Sequence, residues 1–145
     1  MMDRYLYVQS EESNTYFDDN ITTRFRVQLN FPLYLPGVWK VALVEFHATE
    51  KAKSTRKADE GLYIYTDICK ESILYGEERP LLRRLEKSSR GKWDYILDPP
   101  FYVPVTRNEL REFEVYIKGE RDEEATHLQK PVHLTLHFKH YPFCP

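Results

Sequence analysis

The stretch from Arg24 to Phe46, RFRVQLNFPLYLPGVWKVALVEF, constrains the fold most: two apolar runs are hinged on a turn that carries Pro32, Pro36 and Gly37. In the first run Phe25, Val27 and Leu29 alternate with Arg24, Arg26 and Gln28, the period-two pattern of a strand with one dry and one wet face. The second run is different. Trp39, Val41 and Leu43 fall on one face, while Ala42, Val44 and Phe46 make the other nearly as apolar, which predicts a strand covered on both sides. Such a strand belongs inside a sheet.

The chain of 145 residues is expected to form one domain over residues 1–145. A domain of that size buries roughly 70% of the surface its unfolded chain exposes, so no disulfide or metal is needed to hold it. The composition favours strands, with 11 Tyr, 8 Phe and 2 Trp against only 5 Gly. The 9 Pro are expected at strand ends and connections, because proline cannot donate to an interior ladder.

A formal net charge of -2 gives no global attraction for phosphate backbones, so direct nucleic-acid binding is not expected. The opening MMDRYLYVQS lacks the apolar core of a signal peptide, and no apolar run approaches the length of a membrane span. With only Cys69 and Cys144, the expectation is two free thiols in a reducing, intracellular compartment. Asn20-Ile21-Thr22 matches a glycosylation acceptor and is read as a chance match in that compartment.

In chain order, a short strand over Tyr5–Gln9 is followed by a polar loop from Ser10 to Asn20 and a strand from Thr23 to Leu29. The connection Asn30–Gly37 leads to a strand over Val38–His47, and Ala48–Glu60 reads as a long solvated loop of mixed charge. Leu62, Ile64, Thr66 and Ile68 alternate with Tyr63, Tyr65 and Asp67 in a fourth strand. SILYGEER (72–79) is a connection with room for one short strand, and PLLRRLE (80–86) is assigned to a strand on its length. After the charged loop Lys87–Lys92 come a strand over Trp93–Leu97, a proline-interrupted aromatic segment and a strand carrying Phe113, Val115 and Ile117. A charged loop from Gly119 to Lys130 precedes the cleanest strand, where Val132, Leu134, Leu136 and Phe138 oppose a wet face of His133, Thr135, His137 and Lys139.

About eight strands without a helix predict an all-β chain, a single jelly-roll β-sandwich of about eight antiparallel strands. In that topology the polar connections 10–20, 48–60, 87–92 and 119–130 gather at one end. The connections 30–37, 69–79 and 98–110, rich in proline and aromatics, gather at the other. The second end is the expected meeting place for a partner.

Among residues able to carry chemistry, His133, His137 and His140 do not suit a metal, since positions four apart on a strand lie roughly 13 Å apart. Cys69 with His47, and the carboxylate pairs Asp67 with Asp98 and Glu112 with Glu114, are raw material for catalysis found in almost any chain this long. No glycine-rich phosphate cradle occurs. The expectation is no enzyme, no cofactor and no metal. Arg79, Arg83 and Arg84 beside Leu81, Leu82 and Leu85 have the arginine-with-apolar character of protein interfaces. Phe31, Tyr34, Phe101, Tyr102 and Tyr116 complete the set of candidate contact residues.

The segments DRYLYVQSEES, YFDDN, FRVQL, LPGVWKVALVEF, LYIYTDICKES, ERPLLRRLE, WDY, DPPFYVPV, ELREFEVYIK and KPVHLTLHFK, taken in order over nearly the whole chain, resemble the minor capsid (penton) proteins of Polinton or Maverick elements and of adintoviruses. The resemblance implies a single jelly-roll subunit whose homopentamer forms the capsomer at an icosahedral vertex of the virion capsid. A separate double jelly-roll major capsid protein is the implied neighbour. No catalytic residues come with it. The rival expectation is a β-sandwich binding module for carbohydrate or receptor attachment, presenting exposed aromatics such as Tyr16 or Tyr102; a small glycosidase using Glu112 ranks third.

Overall fold

The computed structural model describes residues 3–51, 61–86 and 92–141. Its strands are β1 (Asp3–Gln9), β2 (Arg24–Tyr34), β3 (Val38–Glu50), β4 (Leu62–Thr66), β5 (Ser72–Leu74), β6 (Glu77–Arg79), β7 (Leu81–Leu85), β8 (Lys92–Ile96), β9 (Val103–Pro104), β10 (Glu109–Lys118) and β11 (Leu128–Tyr141). Among the described residues there is no helix. The first sheet has the order β1-β11-β3-β8, with β9 also paired to β3, and the second has the order β2-β10-β4-β7. All these pairings are antiparallel, and β5 and β6 form a separate two-stranded ribbon.

The two sheets share one core. Val41, Leu43, Phe46, Trp93, Leu134, Leu136 and Phe138 from the first meet Phe25, Val27, Leu62, Ile64, Phe113, Val115 and Ile117 from the second. These are the positions that period-two alternation selects, and burying each large side chain contributes roughly 1.5–3 kcal/mol. The chain is thus an all-β sandwich of antiparallel sheets.

One face assignment is corrected. β3 does not carry two equivalent apolar faces, because its register against β11 slips between Thr135 and Leu136, which pair with Glu45 and Leu43. Val44 is the extra residue of that β-bulge, and an extra residue reverses which parity points inward. Trp39, Val41 and Leu43 therefore share the core with Phe46 and Ala48. The apparent second face, Ala42, Val44 and Phe46, is split by the bulge: Ala42 is buried outside the core and Val44 is half-buried.

Connections are shorter than alternation implied. Residues 30–34, expected in a connection, belong to β2, where Leu33 and Tyr34 pair with Leu110 and Glu109 after a register shift. Residues 48–50 extend β3, Lys92 opens β8, and Leu128 already pairs with Glu50. PLLRRLE forms β7, with a register irregularity against β4. Residues 52–60, 87–91 and Cys144 lie outside the described residues.

At one end, Leu35 N–H donates to Asn108 O at 2.7 Å, Val105 N–H to Trp39 O at 3.0 Å and Lys70 N–H to Pro104 O at 2.8 Å, which draws those connections together. At the other, Ile117 N–H donates to Thr23 O at 2.8 Å and Lys51 N–H to His127 O at 2.7 Å. The connection 69–79 departs from the expected grouping. Only its beginning stays at the proline- and aromatic-rich end, where Lys70 meets Pro104; the rest folds back as the β5–β6 ribbon over Tyr63 and Tyr65 on the outer face of the second sheet.

Candidate functional site

That ribbon roofs a polar cluster built from β4, β7 and the 119–122 turn. Its two-residue turn is Tyr75-Gly76 with φ of 49° and 85°, and two successive positive φ values are what a tight type I′ hairpin demands. Beneath it, Tyr63 and Tyr65 of β4 sit on the outer face by alternation with Leu62, Ile64 and Thr66, yet each is only 2% exposed. Tyr65 stacks on Tyr116 of β10 with ring centroids 4.9 Å apart, and Tyr75 packs edge-on against Tyr63 at 6.4 Å.

Polar groups are threaded between these rings. Arg79 donates to both carboxylate oxygens of Asp122, at 2.7 Å to Oδ2, and to Tyr65 Oη at 3.2 Å. Arg84 Nε donates to Tyr63 Oη at 3.0 Å, and its Nη2 to Glu120 Oε1 at 2.6 Å. Tyr63 donates its own proton to Glu120 Oε2 at 3.2 Å, so its 2.9 Å contact with Tyr75 Oη is a bond that Tyr75 donates. Gly61 N–H also donates to Glu120 Oε1, at 3.1 Å. Glycine is required there, since a Cβ would lie 2.5 Å from Leu85 O.

The electrostatics follow the contacts. Burial, with the negative charge of Glu120 acting the same way and Arg84 opposing, pushes the Tyr63 phenol up to about 12, keeping it protonated at neutral pH. The Arg79 guanidinium holds Asp122 at about 2, against its partial burial. Burial acts to raise Glu120, but the Gly61 N–H and Arg84 outweigh it and hold the carboxyl below its usual range. Between ribbon, sheet and the 119–122 turn lies an open pocket of about 200 Å³, lined by Tyr63, Tyr65, Leu74, Tyr75, Glu77, Arg79, Gly119, Glu120 and Asp122.

The first sheet's outer face is covered more simply. His137 of β11, expected on a wet face, is 7% exposed because Tyr5 stacks on it at 4.5 Å and Tyr102 meets it edge-on. Tyr102 Oη lies 2.8 Å from His137 Nδ1, and Asp3 Oδ2 lies 3.5 Å from Nε2. Thr135 and Ala42 are buried on the same face.

The sequence-predicted contact residues are thus not one surface. Arg79, Arg84 and Tyr116 join the roofed cluster, where Glu77, Glu86, Glu120 and Asp122 pair with the arginines. Arg83 turns the other way, its guanidinium 3.9 Å from the Phe101 ring centroid and donating to Pro99 O, so these two close the sandwich edge. Tyr102 covers His137. Phe31, at 83% exposed, and Tyr34 stand free at the end of β2. Alternation had marked Tyr63 and Tyr65 as outward, and tyrosine on an outward face was the available signal for a cover; Glu120 and Asp122 gave none, being read as solvated loop charges.

The catalytic raw material is dispersed. Cys69 is buried, and burial, aided by Asp67, pushes its thiol up to about 12, so it is protonated and not nucleophilic at neutral pH. Asp67 is held by Arg107 at 2.9 Å and accepts from Glu114 N–H; Glu114 pairs with Arg24. His133 pairs across the ladder with His47, which contacts Asp94, and His140 lies against Trp39 at 4.8 Å. Among the described residues no three His, Cys, Asp or Glu side chains are arranged to hold a metal ion, and no helix is long and apolar enough to cross a membrane. No family model, curated protein or solved structure matches this chain.

Proposed function

We propose that this chain is a structural virion protein: a single jelly-roll penton subunit whose homopentamer closes an icosahedral vertex beside a double jelly-roll major capsid protein, working by assembly and not by catalysis. The observation that carries the reading is the strand order. Numbering the eight strands of the two sheets along the chain, with the β5–β6 ribbon and β9 set aside, gives first-eighth-third-sixth and second-seventh-fourth-fifth. That is the interleaving expected when two Greek keys roll up together.

A ring of identical subunits needs a heterologous contact repeated about an axis, with apolar and aromatic material available for it. Phe31 and Tyr34 toward the end of β2, Val38 at the start of β3 and Phe101 in the connection before β9 are large exposed apolar side chains. They support a buried, partner-facing role for the proline- and aromatic-rich end, with the charged-loop end turned outward. Intracellular synthesis followed by incorporation into the capsid accords with the free, buried Cys69 thiol.

The test is assembly mass across a series of concentration and salt. A pentamer, alone or on co-expression with a major capsid protein, is the expected species; a monomer under both conditions overturns the reading.

A further inference from the structure

We propose that the roofed pocket over Tyr63 and Tyr65 is a binding site for a neutral, hydroxyl-rich pyranose, one sugar unit of a glycan. Three features of the lining argue for this class of ligand. First, its open apolar surface comes from the ribbon, where Tyr75 stands 80% exposed at the turn beside the half-buried Leu74, over a floor of Tyr63 and Tyr65 that the ribbon nearly covers. A ring presenting C–H bonds on one side packs on such surfaces.

Second, the cations are already engaged by carboxylates. Arg79 is engaged by Asp122 and Glu77, Arg84 by Glu120 and Glu86, and Lys118 lies 3.3 Å from Asp122. An anionic ligand would have to displace one of these carboxylates, whereas a neutral ligand leaves each pair intact. Third, the hydrogen-bond inventory is lopsided. Tyr75 spends its proton on Tyr63, leaving its oxygen lone pairs open, and Glu120 Oε2 receives only the Tyr63 proton among the bonds described. With Glu77 and Asp122 the rim is rich in acceptors, set against the donors of Arg79 and of the Tyr65 hydroxyl, whose oxygen accepts from Arg79. Sugar hydroxyls supply donors. The volume of about 200 Å³ admits one pyranose and no more, with the rest of a glycan leaving through the open mouth.

The site goes beyond capsid assembly and does not depend on it: it uses none of the exposed side chains assigned to the partner-facing end, and a monomer can be tested. Titrating the intact, isotopically labelled protein with the methyl glycosides of glucose, galactose, mannose and N-acetylglucosamine, with methylguanidinium as the charged control, provides the measurement. Saturable amide shifts confined to residues 72–79, 61–65 and 119–122 are expected with at least one glycoside. For a single small ring a Kd on the order of 1 mM is appropriate.

Tyr75→Ala weakens that binding about tenfold, the scale of one aromatic contact, while its exposure leaves the fold in place, as the unchanged remainder of the spectrum verifies. Phe101→Ala, on an exposed residue that packs on Arg83 and is not part of the pocket lining, leaves binding unchanged. The proposal is overturned if no glycoside gives saturable shifts, if methylguanidinium alone does, or if the shifts survive Tyr75→Ala.

Discussion

Each sheet of this sandwich has an outer face roofed by a later or earlier connection, and the two roofs are fastened by different physics. Over the second sheet, the β5–β6 ribbon rests on Tyr63 and Tyr65 and is tied down through Arg79 to Asp122. Over the first, the segment before β9 supplies Tyr102, which closes on His137 with one hydrogen bond and an edge-on ring contact. Exposed ion pairs contribute little individually, roughly 0–1 kcal/mol, whereas burying an aromatic ring contributes several times that. The comparison therefore teaches that aromatic seats hold both roofs, and that the arginine-carboxylate pairs of the second mainly set where its ribbon lies.

The sharpest way to break this comparison is to remove a seat. Tyr65→Ala deletes a ring that is 2% exposed and contacts both Tyr116 and Arg79, so a loss of about 3–4 kcal/mol is expected, measured by urea denaturation. The ribbon amides should lose their exchange protection beyond that global loss. If Tyr65→Ala costs no more than removal of the Arg79 bond alone, as read by Tyr65→Phe at about 1 kcal/mol, the ion pairs and not the rings hold the roof.

The equivalent lesion on the first sheet is milder. His137→Ala leaves a void between Tyr5 and Tyr102 and is expected to cost about 1–2 kcal/mol, with heat-induced unfolding as the readout. The imidazole is smaller than a tyrosine ring, and its neighbours can settle into the space. A loss equal to that of Tyr65→Ala would make the two seats equivalent.

The strands were legible because alternation reports which side of a pleat is dry. Phe25, Val27, Phe113, Val115, Ile117 and the even positions from Val132 to Phe138 all point where their spacing says. The bulge at Val44 was not, because one inserted residue leaves the composition untouched while exchanging the faces. The ribbon was half legible: Tyr75-Gly76 between two short runs is a hairpin signal, but nothing local says that a hairpin will fold back over its own sheet. Arg79 and Asp122 stand 43 positions apart and Arg84 and Glu120 36 apart. Charges in a loop look solvated until tertiary structure supplies the partner, so the sequence points the arginines at another chain, whereas Arg79 and Arg84 pair with carboxylates of their own fold. His137 failed for the same reason, its cover arriving from Tyr102 at a separation of 35.

A finer probe compares single hydrogen bonds under the two roofs. Tyr102→Phe keeps the edge-on ring and removes only the bond to His137 Nδ1, with an expected loss of about 1 kcal/mol. Among the described residues His137 Nε2 has no hydrogen-bond partner, Asp3 Oδ2 standing 3.5 Å away, so the ring loses the one bond it makes there. Nuclear magnetic resonance of the imidazole nitrogens should then show a change of tautomer balance, and an unaltered spectrum would mean that Tyr102 merely covers the ring.

The smallest effect isolates the charged fastening. Asp122 titrates at about 2 instead of the ordinary 3.8, chiefly through Arg79 and also through Lys118. Since the folded-state value is the depressed one, Asp122 stabilises the folded state fully above pH 3.8, and that contribution is lost as pH falls toward 2. The carboxylate is 48% exposed, so solvent screening keeps its share below about 1 kcal/mol. Asp122→Asn should accordingly be slightly less stable than the parent at neutral pH, and the gap should close on acidification across that window. A gap that persists unchanged at pH 2 would assign the loss to packing of the 119–122 turn, leaving both roofs held by their rings alone.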